Sequence, residues 1–112
     1  MTNRAIDTKV ITTVLDVPTN HPVFVDHFPG DPLVPGALLI QWLIRALRKE
    51  CGRTVSAVPS MKFLAPLRPG DCCQCAFQVG EKSVQVTVTQ QALATVVCKG
   101  KFVLSEARDG AA

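Results

Sequence analysis

Residues His27–Gln41 read HFPGDPLVPGALLIQ, and the fold turns on how this run is divided. Its first half holds Pro29, Gly30, Pro32, Pro35 and Gly36; its second half opens without a break into Ala37-Leu38-Leu39-Ile40. Proline fixes φ and excludes helix from the residue before it, while glycine permits turns that other residues resist. The first half is therefore a stiff loop, and a helix begins at Gly36. The first N–H groups of a helix lack partners inside it, which makes its start a place where negative charge is welcome. The run thus joins a titratable histidine, a helix N-terminus and, fourteen residues after the histidine, a glutamine set in an apolar helix. That combination points to an active site.

Working outward, the helix is expected from Gly36 to about Glu50, ending near Gly52. Ala37, Leu38, Leu39, Ile40, Trp42, Leu43 and Ile44 surround Gln41 on every side, and a helix apolar all round is a buried one. Its second half turns basic, with Arg45, Arg48 and Lys49 outward and Ala46 and Leu47 inward. Before the loop, Lys9–Val17 is rich in β-branched residues and stops at Pro18, which reads as a strand. A turn at residues 19–22 and a short extended piece, Val23–Val25, lead to His27. After Gly52 the pattern is that of antiparallel sheet. Residues 54–64 are interrupted by Pro59, and Pro66, Pro69 and Gly70 make a turn before an alternating strand at 72–79. Gly80-Glu81-Lys82 turns into 83–90, where Val84, Val86 and Val88 share a face. The last strand, 93–104, puts Ala94, Val96, Cys98, Gly100, Phe102 and Leu104 on one side. One long helix followed by meandering strands gives an α+β domain over 1–112, its sheet curled around the helix, with residues 106–112 as a frayed tail.

Composition sets the outer bounds. The chain has 112 residues, 47% apolar and 19% charged, as in a globular protein of one domain. No uncharged stretch is long enough to span a bilayer, and MTNRAIDTK is not the start of an export signal, so a cytoplasmic location is expected. A net charge of +3 does not call for nucleic acid. The cysteines are Cys51, Cys72, Cys73, Cys75 and Cys98, and an odd number without an export signal argues against a disulfide framework. Cys72-Cys73-Gln74-Cys75 lacks the second pair that a zinc knuckle needs, so no metal is expected. Cys73 and Cys75 share a strand face with Phe77 and Val79 and read as small core hydrophobes.

HFPGDPLVPGALLI resembles the signature of the (3R)-hydroxyacyl-acyl carrier protein dehydratases of hotdog fold. Lys62–Asp71, KFLAPLRPGD, is similar to that family's second motif, and the likeness covers nearly the whole chain. The small size resembles the short dehydratase-like proteins of aryl-polyene and related pigment clusters. The resemblance implies a hotdog fold and a thioester substrate carried on the phosphopantetheine of an acyl carrier protein or on coenzyme A, with no cofactor. It implies that His27 is the base that takes the C2 proton, and that the Gly36 N–H polarises the thioester carbonyl, where the helix dipole favours developing negative charge. Phe28, Pro29, Gly30, Leu33, Val34, Pro35 and Leu38 would then border the substrate, in a tunnel between two subunits.

One position departs from the pattern. The family's acid, contributed by the partner's helix, falls on Gln41, which has no titratable proton. Gln41 can hold a hydroxyl or a water, but it cannot deliver the proton that expels the hydroxyl, a loss of about 10²–10⁴ in rate. Three readings stand side by side: a weakened or water-assisted dehydratase, an acyl thioesterase on the same scaffold, and a non-catalytic subunit paired with an acid-bearing paralogue. Asp26 and Asp31 do not occupy the missing acid's position. Without the motif, His27 would be a solvated loop residue and Gln41 a buried amide bonded to nearby backbone. His21 reads as a turn residue, and Trp42 as packing. Arg45, Arg48, Lys49 and Arg53 form a basic set at the helix end, by default a solvated face, that would steer an acidic carrier; Lys62 and Arg68 are weaker members. A helix this apolar calls for a dimer or larger assembly, homo- or hetero-oligomeric.

Overall fold

The structure is a computed structural model, and it describes residues 9–22 and 33–105. Val23–Val25, His27–Asp31 and the 106–112 tail lie outside the described residues. Five strands and one helix follow in the order β1 (Lys9–Asp16), α1 (Gly36–Cys51), β2 (Val55–Phe63), β3 (Cys72–Val79), β4 (Ser83–Gln90) and β5 (Thr95–Leu104). The strands form a single sheet in the order β1-β3-β4-β5-β2, every pair antiparallel. β1 and β2, which flank the helix in sequence, therefore lie at opposite edges, and α1 belongs to the connection between them.

Alternation decides which face of the sheet receives the helix. Cys73, Cys75, Phe77 and Val79 on β3 and Val84, Val86 and Val88 on β4 are buried, while Gln74, Gln78 and Gln85 between them are exposed. The helix answers with Leu39, Leu43 and Leu47, spaced by four, which are its buried residues. Side chains four apart lie above one another on a helix, so these leucines make one continuous ridge. Fully burying a leucine contributes about 1.5–3 kcal/mol. α1 ends at Gly52, which takes the left-handed conformation (φ 70°) and donates its N–H to the Arg48 carbonyl at 2.8 Å.

Three expectations change in detail. The helix is not covered on every side within one chain: Ala37 and Gln41 are exposed, and Ile40, Trp42 and Ile44 are only half-buried. Its first half is apolar all round, yet one sheet can cover only one flank. The last strand does not keep a single inward set either. Ala94 and Val96 are exposed, whereas Val97 and Cys98 are both buried. The pairing slips between Val88↔Cys98 and Thr89↔Val96, so Val97 is an extra residue on β5, and a bulge of this kind shifts the facing by one. Pro59 interrupts pairing without ending β2, because β2 is an edge strand. The register shifts lie between Val55 and Ala57 and between Ala57 and Ser60. Gly100 sits beside this irregular stretch, where an added Cβ would collide with the Ser60 carbonyl oxygen and come within 2.8 Å of Met61 Cα.

The 64–71 segment is tied down by backbone bonds at both ends. Leu64 and Ala65 donate to the Val97 carbonyl at 2.7 and 3.2 Å. Gly70 (φ 88°) donates to Val17 O, and Val17 donates to Asp71 O, at 2.9 and 2.8 Å. The Asp71 carboxylate accepts the Arg68 N–H at 2.9 Å and closes the turn.

All five cysteines are free thiols, and Cys73, Cys75 and Cys98 are fully buried, as the alternation predicts. Burial pushes the Cys73 and Cys98 thiols up to about 11 and Cys75 to about 12. At pH 8 only about one in a thousand of a thiol with pKa near 11 is thiolate, the form that reacts. In the native protein at pH 8, a disulfide reagent should label at most Cys51 and Cys72 rapidly, with the other three reacting on addition of denaturant. Rapid labelling of three or more thiols in folded protein would contradict this core.

Candidate active site

The helix N-terminus is built to stay open. Pro35 is its N-cap, in extended conformation (φ −61°, ψ 143°), with no side-chain hydrogen bond to the helix. No acidic residue stands in the first turn. Leu38 and Leu39 both donate to the Pro35 carbonyl at 3.1 Å, whereas the N–H groups of Gly36 and Ala37 have no acceptor among the described residues. Among the described residues, two donors without an acceptor and the positive end of the helix dipole therefore stand at the helix start.

Gly36 borders an apolar cavity of about 450 Å³. Leu33, Val34, Gly36 and Leu39 line one side, and Phe63–Leu67 with Val97 line the other. Val34 donates its N–H to the Leu67 carbonyl at 2.8 Å, which holds the two walls together. Electrostatic contacts strengthen when water is excluded, so a donor beside such a cavity can act on a polar group carried in on an apolar chain.

Gly36 is required here by shape. Its φ is not left-handed, but the tip of the Phe63 ring occupies the space a side chain would need. A Cβ at Gly36 would lie 2.8 Å from Cζ and 3.0 and 3.1 Å from the two Cε atoms. Phe63 itself is about half exposed (49%).

Of the residues singled out in the sequence, Leu33, Val34 and Gly36 share this cavity, and Pro35 caps the helix beside it. Leu38 is half-buried but is not among the lining residues, since two residues beyond Gly36 it has turned by roughly 200° about the helix axis. His27, Phe28, Pro29 and Gly30 lie outside the described residues. Gln41 is exposed, about 7.5 Å along the axis from Gly36 and roughly 140° round it, so it faces away from its own chain's cavity.

The basic set divides. Arg45 and Lys49, one turn apart, line a second cleft of about 260 Å³ with Leu15, Pro18, His21 and Trp42. In that cleft the His21 and Trp42 rings meet edge to face, centroids 5.8 Å apart. Arg48 is exposed. Arg53 is half-buried and donates from Nη2 to the Glu81 carbonyl at 2.8 Å, while its Nε is buried with no partner among the described residues.

The Phe63–Leu67 wall and Val97 were not identified from the residues as lining. Residues 63–67 read as a strand end and a turn within the family's second motif, with nothing local to place them at a cavity, and Val97 depends on the β5 bulge.

A family model described as ApeI-like, ApeI dehydratase, matches residues 3–101. The chain is 32% identical to the 3-hydroxyacyl-[acyl-carrier-protein] dehydratase FabZ of Myxococcus xanthus, over 83% of this chain and 70% of that one. With the FabZ of Thermomicrobium roseum it shares 30% identity over 61% of this chain and 52% of the relative. The chain thus spans about half the length of some of the curated relatives it matches. Among solved structures, an uncharacterized protein from Erwinia carotovora subsp. atroseptica superposes with a TM-score of 0.74 at 22% identity, covering 88% of this chain and 85% of that one. A chain of the dehydratase heterocomplex ApeI:P from Xenorhabdus doucetiae superposes with a TM-score of 0.73 at 23% identity, covering 85% and 86%. These superpositions establish the hotdog fold.

The contact between Gly36 and Phe63 can be measured. Gly36→Ala should displace the ring and lower stability, and Phe63→Leu should relieve that cost. In urea unfolding, the double variant should show a coupling of at least about 0.5 kcal/mol in that direction. Additive effects would mean that the ring does not press on the helix start.

Proposed function

This chain belongs to the ApeI-like dehydratase family, and on that premise we propose that it handles 3-hydroxyacyl thioesters, borne by an acyl carrier protein, in fatty acid or polyene-type biosynthesis. The observation that carries the reading is the uncapped start of α1, whose Gly36 N–H opens on an apolar cavity. A thioester carbonyl resting on that N–H becomes more negative as the C2 proton leaves, and the donor and dipole stabilise it there. His27 takes the proton. The C3–O bond then breaks, and the departing hydroxide must gain a proton to leave as water.

That last proton is what Gln41 cannot supply. From a second copy's helix, since it faces away from its own cavity, Gln41 holds the 3-hydroxyl and a water that gives the departing hydroxide its proton. The same exposure supports a further reading, in which this chain pairs with an acid-bearing paralogue and His27 works against the paralogue's carboxyl group. The half-buried Ile40, Trp42 and Ile44 give either assembly an apolar surface to cover. The five free thiols suit a reducing compartment such as the cytoplasm. Of the basic set, Arg45 and Lys49, whose cleft Asp16 also lines, and the exposed Arg48 are the candidates to meet an acidic carrier.

Gln41→Glu tests the site. It restores a donor, and desolvation in the assembled site keeps the carboxyl protonated often enough to act. The variant should dehydrate a 3-hydroxyacyl thioester at least about tenfold faster than wild type, and His27→Ala should abolish the gain. A large gain in the wild type on adding the paralogue selects the partner reading. Thioester hydrolysis by the wild type, lost in the Glu variant, selects a thioesterase. A folded variant that binds substrate and shows no dehydration under either condition refutes the mechanism. For docking, reversing Arg45 and Lys49 to Glu should weaken carrier binding severalfold at low salt and flatten its salt dependence. Unchanged affinity would return both residues to a solvated role.

A further inference from the structure

Phe63 stands in a place that the dehydratase reading leaves without a task. Its backbone is fixed by the Phe63↔Cys98 pairing at the end of β2, and the next two residues are bonded to the Val97 carbonyl. Its ring points into the cavity, and the Cζ tip is aimed at Gly36 Cα. A thioester carbonyl on the Gly36 N–H, turned with C2 rather than sulfur toward the ring, would bring C2 alongside the ring tip. An unsubstituted C2 carries only hydrogens and fits beside the ring; a methyl group there meets the same carbon atoms that exclude a Cβ from Gly36.

We propose that Phe63 is the specificity-determining residue that restricts substitution at C2 of the acyl group. This rests on the placement of the thioester at Gly36 given above. The ring therefore serves two ends: it walls the cavity next to the reacting carbons, and it selects straight acyl thioesters over those branched at C2. Leu64 also lines the cavity, but the three atoms nearest the place of a Gly36 Cβ all belong to the Phe63 ring, so Leu64 is assigned no such role.

The experiment measures binding, so it does not depend on the missing acid. Pantetheine thioesters of but-2-enoic acid and 2-methylbut-2-enoic acid are titrated into wild type, Phe63→Ala, Phe63→Leu and Leu64→Ala. Wild type should favour the unbranched ligand at least tenfold, the discrimination typical of one methyl group against a fitted wall. Phe63→Ala should narrow that preference by about tenfold and Phe63→Leu by less, while Leu64→Ala leaves the ratio unchanged. Phe63→Leu keeps an apolar side chain at the position should Phe63→Ala fail to fold. Wild type that binds the unbranched ligand, with the same ratio retained in the Phe63 variants, overturns this inference alone. An equal shift in Leu64→Ala overturns it too, because the whole cavity would then set the preference. Wild type that binds neither ligand overturns the placement of the thioester and this inference with it.

Discussion

The ridge of Leu39, Leu43 and Leu47 against the inner face of the sheet is the contact on which the remaining structure depends. Of the apolar stripes on the helix, this ridge is the one that the sheet buries. The sheet meets the ridge with small and branched residues at its centre, Cys75, Val86, Val88 and Cys98, and with Phe77 and Phe102. Packing at protein density leaves little freedom in how the helix lies, so the position of its N-terminus is fixed by leucines that take no part in chemistry. The cavity is where this packing stops: beyond Leu39 the helix begins, and Phe63–Leu67 close the gap on the other side.

The site follows from what is withheld at that end. An ordinary helix start would carry Ser, Thr, Asp or Asn as a cap, and often an acid in its first turn. Pro35 supplies neither a side-chain acceptor nor a charge, and no acid follows it. An uncapped start forgoes roughly 1 kcal/mol of stability and leaves donors for a ligand. Gly36 then has a reason to be glycine beyond exposing its N–H, since the Phe63 ring fills the volume of its missing side chain.

Gln41 shows how one side chain can separate fold from chemistry. Its exposure and its place on the helix are compatible with a site completed by another chain, and Gln for Glu changes the volume little. It changes the proton inventory completely. A likeness covering residues 3–101 establishes the family, while the mechanism we propose turns on one side chain within it.

Much was legible in the sequence because its signals are local. The helix bounds, the strand alternation, the cysteines as core residues and the special character of Gly36 each follow from period, propensity or capping, which neighbouring residues determine. Leu33 and Val34 line the cavity beside the helix start, whereas their place beside a substrate came only from the family resemblance. What the tertiary structure decided involves residues far apart in the chain. Val97 turned inward because β5 gains a residue against β4. Leu38 turned away from the cavity because the leucine ridge sets the helix's rotation about its own axis. Phe63 met Gly36 because β2 crosses to the far edge of the sheet. Alternation along one strand carries no information about where its partner slips, and a helical period does not say which of several apolar stripes a single sheet will cover.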